Sequence, residues 1–172
     1  MFETILVANR GEIAVRAIRT CKRLGVKSAI VHSDPDRSTL PVRMADFAIR
    51  LAGEKPTDTY LKIESVLEAA KSVGAQAIYP GYGFLSESTE FAEACEALNI
   101  RFVGPTSHQI REFGLKHRAR ELAAAAGVPM TPGTGLLSGI DEALEAAARI
   151  GYPIMLKATN GGGGRGIRRC DS

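Results

Sequence analysis

Between Thr4 and Val103, short apolar strand-like runs alternate with segments of helical spacing, and the connectors between them are short. Thr4–Ala8 reads as a buried strand, Asn9-Arg10-Gly11 as the turn out of it, and Glu12–Leu24 as a helix closed by Gly25. The inward stripe of that helix is Ile13, Ala17, Ile18, Cys21 and Leu24. Lys27–His32 forms a second strand, Asp34-Pro35-Asp36-Arg37-Ser38 a turn cluster, and Phe47–Leu51 a third strand. Thr59–Val73 has helical spacing through Leu61, Val66, Leu67 and Ala70 and stops at Gly74. A strand over Gln76–Tyr79, a helix over Glu87–Leu98 with Ser86 as its cap, and a strand over Arg101–Val103 complete the series. Parallel strands need crossover helices, so this alternation selects an α/β fold with a parallel sheet covered by helices on both faces. Ligands of such sheets bind at the carboxyl ends of the strands. Asn9-Arg10-Gly11 and Pro80-Gly81-Tyr82-Gly83 are therefore expected on one working edge despite their separation in sequence.

After Gly104-Pro105 the pattern changes. Ser107–Phe113 and Leu115–Ala126 have the spacing of two short helices, and Gly127-Val128-Pro129-Met130-Thr131-Pro132-Gly133 that of an extended linker. Asp141–Ile150 is helical, and Pro153–Ala158 with Gly166–Cys170 reads as a hairpin whose tip carries Gly161-Gly162-Gly163-Gly164. Consecutive glycines can turn several N–H groups toward one anion, and Lys157 at the strand end adds a mobile charge, so the tip suits a polyphosphate. It lacks the Gly-Lys-Ser/Thr of a Walker A loop. The competing reading is a plain linker or tight hairpin.

Tyr79-Pro80-Gly81-Tyr82-Gly83-Phe84-Leu85-Ser86-Glu87 joins glycines and aromatics at a strand end and suits a flat polar ligand; the alternative is a packed turn in which Tyr82 and Phe84 plug the sheet edge. Asn9-Arg10-Gly11-Glu12 lacks G-x-G-x-x-G, which argues against dinucleotide binding; Glu12 instead suits a helix start. Lys116 lies in a basic run, Lys116-His117-Arg118-Ala119-Arg120, and Arg16, Arg19 and Arg23 share one helical face. For the arginine face, solvent and a subunit contact are the two readings.

A net charge of +3, from 22 basic and 19 acidic residues, is too balanced to argue for nucleic acid or an anionic membrane as partner. The apolar run at the start of the chain is ended by Asn9 and Arg10, too short for a secretory leader or a membrane span. Cys21, Cys95 and Cys170 are odd in number and lack ligand spacing, which points to a reducing, cytoplasmic setting with neither disulfide nor zinc.

Taken in order, Ile5–Ala14, Tyr79–Glu87, Phe102–Pro105, Lys116 and Gly151–Gly166 resemble the N-terminal part of biotin carboxylase, an ATP-grasp enzyme. The resemblance implies a Rossmann-like domain over 1–113, a helical linker over 114–130, and an incomplete ATP-grasp domain over 131–172 that begins the lid. It implies ATP, magnesium and carrier-bound biotin as reaction components, with carboxyphosphate formed from bicarbonate. It also implies that Lys116, Lys157, Gly162, Gly163, Gly164, Arg165 and Gly166 bind ATP, and that Tyr82 and Gly83 face the ureido ring of biotin. Tyr79 stands where many relatives have histidine, and Gly114-Leu115-Lys116-His117 replaces Gly-Asp-Lys. The latter, with Pro132–Leu137, is similar to the urea or guanidine carboxylase branch. The family's magnesium ligands, bicarbonate-binding arginine and catalytic base fall beyond Ser172, so no catalytic or metal-binding residue is assigned here. The expectation is an enzyme fragment inactive alone, partnered by the remainder of the carboxylase and a biotin carrier domain, with a homodimer as a further option. A non-catalytic nucleotide-binding or assembly module, one half of a split carboxylase, and another ATP-grasp ligase are the competing readings.

Overall fold

The computed structural model describes residues 1–159 and 166–172. Its first compact unit, Met1–Ile110, is built on a five-stranded sheet of β1 (Thr4–Val7), β2 (Lys27–His32), β3 (Phe47–Arg50), β4 (Ala77–Tyr79) and β5 (Arg101–Phe102). The strands lie in the order β3-β2-β1-β4-β5 and every pair is parallel. β1 is central: Leu6 lies opposite Ala29 and Ile78, and Val7 opposite Ile30 and Tyr79.

The alternation of side chains along β1 divides the core in two. Leu6 joins Val66, Ala70, Ile78, Phe91 and Phe102 on one face, beneath α3 (Ile63–Ser72) and α4 (Thr89–Ala97). Val7 joins Ile30 on the other, beneath Ala14, Ala17 and Ile18 of α1 (Gly11–Leu24). Leu6 and Val7 are both fully buried, as a strand covered on two faces requires. Phe91 packs edge-on against Phe102 with ring centroids 6.0 Å apart.

Several boundaries differ from the sequence reading for identifiable reasons. Leu24 is 56% exposed and Ile13 only half-buried, while Ala14 is fully buried; the α1 stripe is rotated toward alanines, which let the helix approach the sheet. Gly25, at φ +70°, ends α1 as expected, and Val26 N–H donates to Cys21 O at 2.9 Å across the turn. α3 begins at Ile63 because Pro56–Asp58 form a separate 3₁₀ turn, with Thr59 Oγ1 donating to Lys55 O at 2.8 Å. α4 is capped by Ser88, whose Oγ accepts from Phe91 N at 3.1 Å, and not by Ser86. The short helix α2 (Leu40–Met44), with Pro41 in its first turn, falls in a stretch to which the sequence reading assigned no element.

The second unit, Arg111–Ser172, contains α6 (Lys116–Ala125), α7 (Ile140–Ile150) and an antiparallel hairpin of β6 (Ile154–Lys157) and β7 (Ile167–Cys170), in which Lys157 lies opposite Ile167. α5 (Ser107–Gly114) runs across the division between the units. Among the described residues, buried hydrophobic side chains of the second unit are Ala146 and Ala147; the rest of the core belongs to the first.

Two outcomes follow from this asymmetry. Phe91→Ala should lower stability by about 3–5 kcal/mol, read as a shifted urea midpoint of the first unit. Amide exchange by mass spectrometry should be slow in β1 and β4 and fast in β6 and β7, because a two-stranded hairpin with exposed faces is marginal by itself.

Candidate ligand-binding edge

The sheet order reverses direction between β1 and β4, and the chain leaves both strands at their carboxyl ends there. Parallel open sheets place a crevice at such a switch point. Ala8 N–H continues the β1–β4 pairing with a bond to Tyr79 O at 2.9 Å, and the next residue, Asn9, is 2% exposed. Asn9 Nδ2 donates to Pro80 O at 2.7 Å and to Tyr82 O at 2.8 Å, while Asn9 Oδ1 accepts from Arg10 N at 2.8 Å. The two loops anticipated on one edge are thus joined by a single side chain.

The loop it holds is unusual in backbone shape. Gly81 and Gly83 have φ of +68° and +73°, and Phe84 has φ of +42°. A Cβ at Gly81 would lie 2.6 Å from Ile13 Cγ2, so the glycine is required both by conformation and by the close approach of α1. Gly83 faces open space, and Tyr82 is 66% exposed with its hydroxyl donating to Glu12 Oε1 in the first turn of α1. That bond to a carboxylate, with some desolvation, holds the Tyr82 phenol above its usual range. Of the two aromatics considered as plugs, Phe84 fills the edge and Tyr82 stands in solvent.

Phe84 stacks on Tyr60 with centroids 4.9 Å apart and 13° between planes, and the Arg10 guanidinium lies 5.5 Å and 5.6 Å from the two ring centres. Arg10 Nη1 also donates to Asp36 Oδ2 at 3.2 Å. The same oxygen accepts from Tyr60 OH at 2.7 Å and Ser33 Oγ at 2.9 Å, and Ser33 N–H donates to Tyr60 OH at 3.0 Å. Burial by itself would raise the Asp36 carboxyl; the combined donors Tyr60, Ser33 and Arg10 outweigh it and hold it below the usual carboxylate range. Burial, and then the bond to Asp36, push the Tyr60 phenol up to about 12. The sequence reading missed this Arg10–Asp36–Tyr60–Phe84 cluster. Its available signal was a basic and an acidic residue just past the carboxyl ends of strands that neighbour each other.

The other expected site residues lie in the second unit. Lys116 opens α6 and is half-buried; Lys157 ends β6 and is exposed. Gly166 has φ +70°, its carbonyl accepts from Ala158 N at 2.7 Å, and a Cβ there would meet Ala158 Cβ at 2.7 Å. The two strands therefore approach closely just past Lys157, at Ala158 and Gly166, where only glycine fits. Gly162, Gly163, Gly164 and Arg165 lie outside the described residues. In the basic run, Arg118 is paired with Glu112 and Glu121 at 3.0 and 2.6 Å, and Arg120 Nη2 donates to Thr131 O at 3.0 Å. Those arginines organise their own unit.

Residues 1–110 match the family described as "Biotin carboxylase, N-terminal domain", and residues 116–172 match "Carbamoyl-phosphate synthase L chain, ATP binding domain". Urea amidolyase of Lachancea kluyveri is 53% identical over 171 residues, covering 99% of this chain and 9% of that protein. The biotin carboxylase–β,γ-ATP complex of Campylobacter jejuni superposes with a TM-score of 0.95 at 43% identity, over 100% of this chain and 39% of that one. The biotin carboxylase domain dimer of Hydrogenobacter thermophilus 2-oxoglutarate carboxylase, in complex with MgADP, ADP and bicarbonate, superposes with a TM-score of 0.92 at 48% identity, over 99% and 38%. The chain belongs to the biotin carboxylase N-terminal domain family. It spans from 9% to 38% of the length of the first curated relatives it matches.

Gly81→Ala should cost at least about 1–2 kcal/mol from the left-handed backbone, with the Ile13 clash added, seen as a lower thermal midpoint. Because the folded Asp36 carboxyl is depressed, its stabilisation is complete above the unfolded value of about 3.9 and is lost as pH falls through the lower folded value. Asp36→Asn should therefore remove about 1.5–3 kcal/mol near neutral pH and flatten this part of the acid limb, checked by urea titrations from about pH 6 to pH 2.

Proposed function

We propose that these 172 residues form the N-terminal part of an ATP-dependent biotin carboxylase, which joins bicarbonate to carrier-bound biotin. The observation that carries this reading is the order of the two matched segments, the first of which, 1–110, coincides with the compact unit Met1–Ile110. In this reading 1–113 is the Rossmann-like domain, 114–130 the helical linker, and 131–172 the start of the ATP-grasp domain.

ATP, when bound, supplies the phosphoryl group that activates bicarbonate. Lys116 and Lys157 place point charges against its phosphates, and Gly162, Gly163, Gly164, Arg165 and Gly166 cover them. The exposed Lys157 at the end of β6 supports this reading by placing a mobile positive charge next to the glycine run of the sequence. Tyr82 and Gly83 face the ureido ring. Magnesium has no fitting ligand set here: the described residues contain no group of three His, Cys, Asp or Glu able to hold a metal. No step is derived through it.

The partners in this reading are the remainder of the carboxylase and the biotin carrier domain. The exposed arginines of α1, Arg16, Arg19 and Arg23, supply a surface for a homodimer. Among the described residues no helix is long and apolar enough to cross a membrane. A reducing cytoplasmic setting is supported by Cys21 and Cys95, both buried and unpaired, with burial pushing the Cys95 thiol up to about 12. The Pro132–Leu137 segment and the 53% identity to a urea amidolyase support the urea or guanidine branch.

The test is ADP release dependent on both bicarbonate and biotin. The 172-residue chain alone should give none. The polypeptide completed with the remainder of the ATP-grasp domain should give it, and Lys157→Ala should lower its kcat by about 10²–10³-fold. A completed polypeptide without biotin-dependent turnover would overturn the proposal.

A further inference from the structure

One buried side-chain amide makes three hydrogen bonds, and two of them go to the loop that bears Tyr82 and Gly83. Asn9 Nδ2 has two hydrogens, and these go to Pro80 O and Tyr82 O; Asn9 Oδ1 takes the N–H of Arg10. Across a trans peptide the N–H points opposite to the C=O. Turning the Pro80 and Tyr82 carbonyls onto Asn9 therefore aims the N–H groups of Gly81 and Gly83 away from it. The left-handed backbone at Gly81, Gly83 and Phe84 gives this segment many competing conformations to exclude. Glu12 then anchors the Tyr82 hydroxyl, and Arg10 with Tyr60 anchors the Phe84 ring.

We infer that Asn9 is a positioning residue for the acceptor site: it sets the path of Pro80–Phe84 and so the presentation of Tyr82 and Gly83, without touching the acceptor. The inference rests on the reading of Tyr82 and Gly83 as the acceptor-facing pair. Neither partner of its two donors could be satisfied by alanine, and serine is too short to span both carbonyls. Loss of the amide frees the loop to move Tyr82 off Glu12, while β1 and β4 stay paired through their own backbone bonds.

Two measurements test it. In the 172-residue chain with ring-labelled tyrosine, NMR titration follows the Tyr82 phenol, assigned by its absence in Tyr82→Phe. Native Tyr82 should titrate above the ordinary value of about 10, and Asn9→Ala and Asn9→Ser should return it to that value with Tyr60 still raised. In the completed carboxylase, the same variants should raise KM for biotin roughly 10- to 100-fold and leave KM for ATP unchanged. Variants that fold with an unaltered Tyr82 titration, or that raise both KM values together, overturn the inference. If the native completed enzyme does not carboxylate biotin, the functional reading fails, while the titration still decides what Asn9 does to the loop.

Discussion

The side-chain amide of Asn9 is the tie on which the working edge depends. β1 is central and buried on both faces, so the chain that leaves it emerges into a region where every polar group must find a partner. Asn9 is there at 2% exposure, and a group so placed costs a few kcal/mol if left unsatisfied. It meets that demand by bonding two carbonyls of a loop that follows β4. The arrangement satisfies the amide and, in doing so, defines a loop that has little regular structure of its own. Burial and loop geometry are therefore one problem with one solution, and Gly81 is part of it because only glycine leaves room for Ile13 above the turn.

The second constraint on this edge is electrostatic. Asp36 is a mostly buried carboxylate, and desolvation is the largest single influence on it. Three donors on one oxygen reverse that influence, and one of them is the cation Arg10. The Arg10 guanidinium, about half exposed, also lies over the stacked rings of Tyr60 and Phe84, whose faces attract it. The result fills with side chains the region past β1 and β2 where a dinucleotide-binding sheet keeps glycines and a free acidic residue. Asp34, the other acidic residue of that turn, is likewise engaged, bonded to Arg50 at 2.5 and 2.9 Å. The missing G-x-G-x-x-G thus has a structural counterpart: Arg10 occupies the place that glycines would leave open.

The parallel sheet was legible because apolar runs and helical spacing alternate strictly through the first hundred residues, and because Gly25 and Gly74 punctuate the helices. The joining of Asn9 to Pro80 and Tyr82 was legible only as a shared edge, since sheet topology places loop ends together without specifying bonds. Phe84 and Tyr82 carry the same aromatic signal two residues apart, yet one is stacked and the other solvated; a positive φ at Gly83 and Phe84 separates their directions, and composition does not report φ. Tyr60 was assigned to a helix because Leu61 completed an apolar period, but Leu61 is exposed and Tyr60 is buried by its bonds to Asp36 and Ser33. A polar network overrode the local periodicity there. Ser86 and Ser88 offer the same hydroxyl, and the cap fell to Ser88 because its spacing to Phe91 puts the ring into the core as the helix begins.

The second unit follows a different physical rule. Its described structure is held by local interactions, such as the Ser138 N–H and hydroxyl bonds to Glu142 at 2.8 and 2.7 Å at the start of α7 and the Arg118 ion pairs, while Leu136, Ile140, Leu144, Met155 and Leu156 remain exposed. Exposed ion pairs contribute little, generally below about 1 kcal/mol, whereas covering five such side chains removes a large apolar surface from water. The energy available for ordering this unit therefore lies in surface it has not yet buried. Lys157 ends one of those uncovered strands, so the position of its charge depends on how firmly β6 is held. Covering that apolar face would fix the strand, and with it the direction in which Lys157 presents its charge.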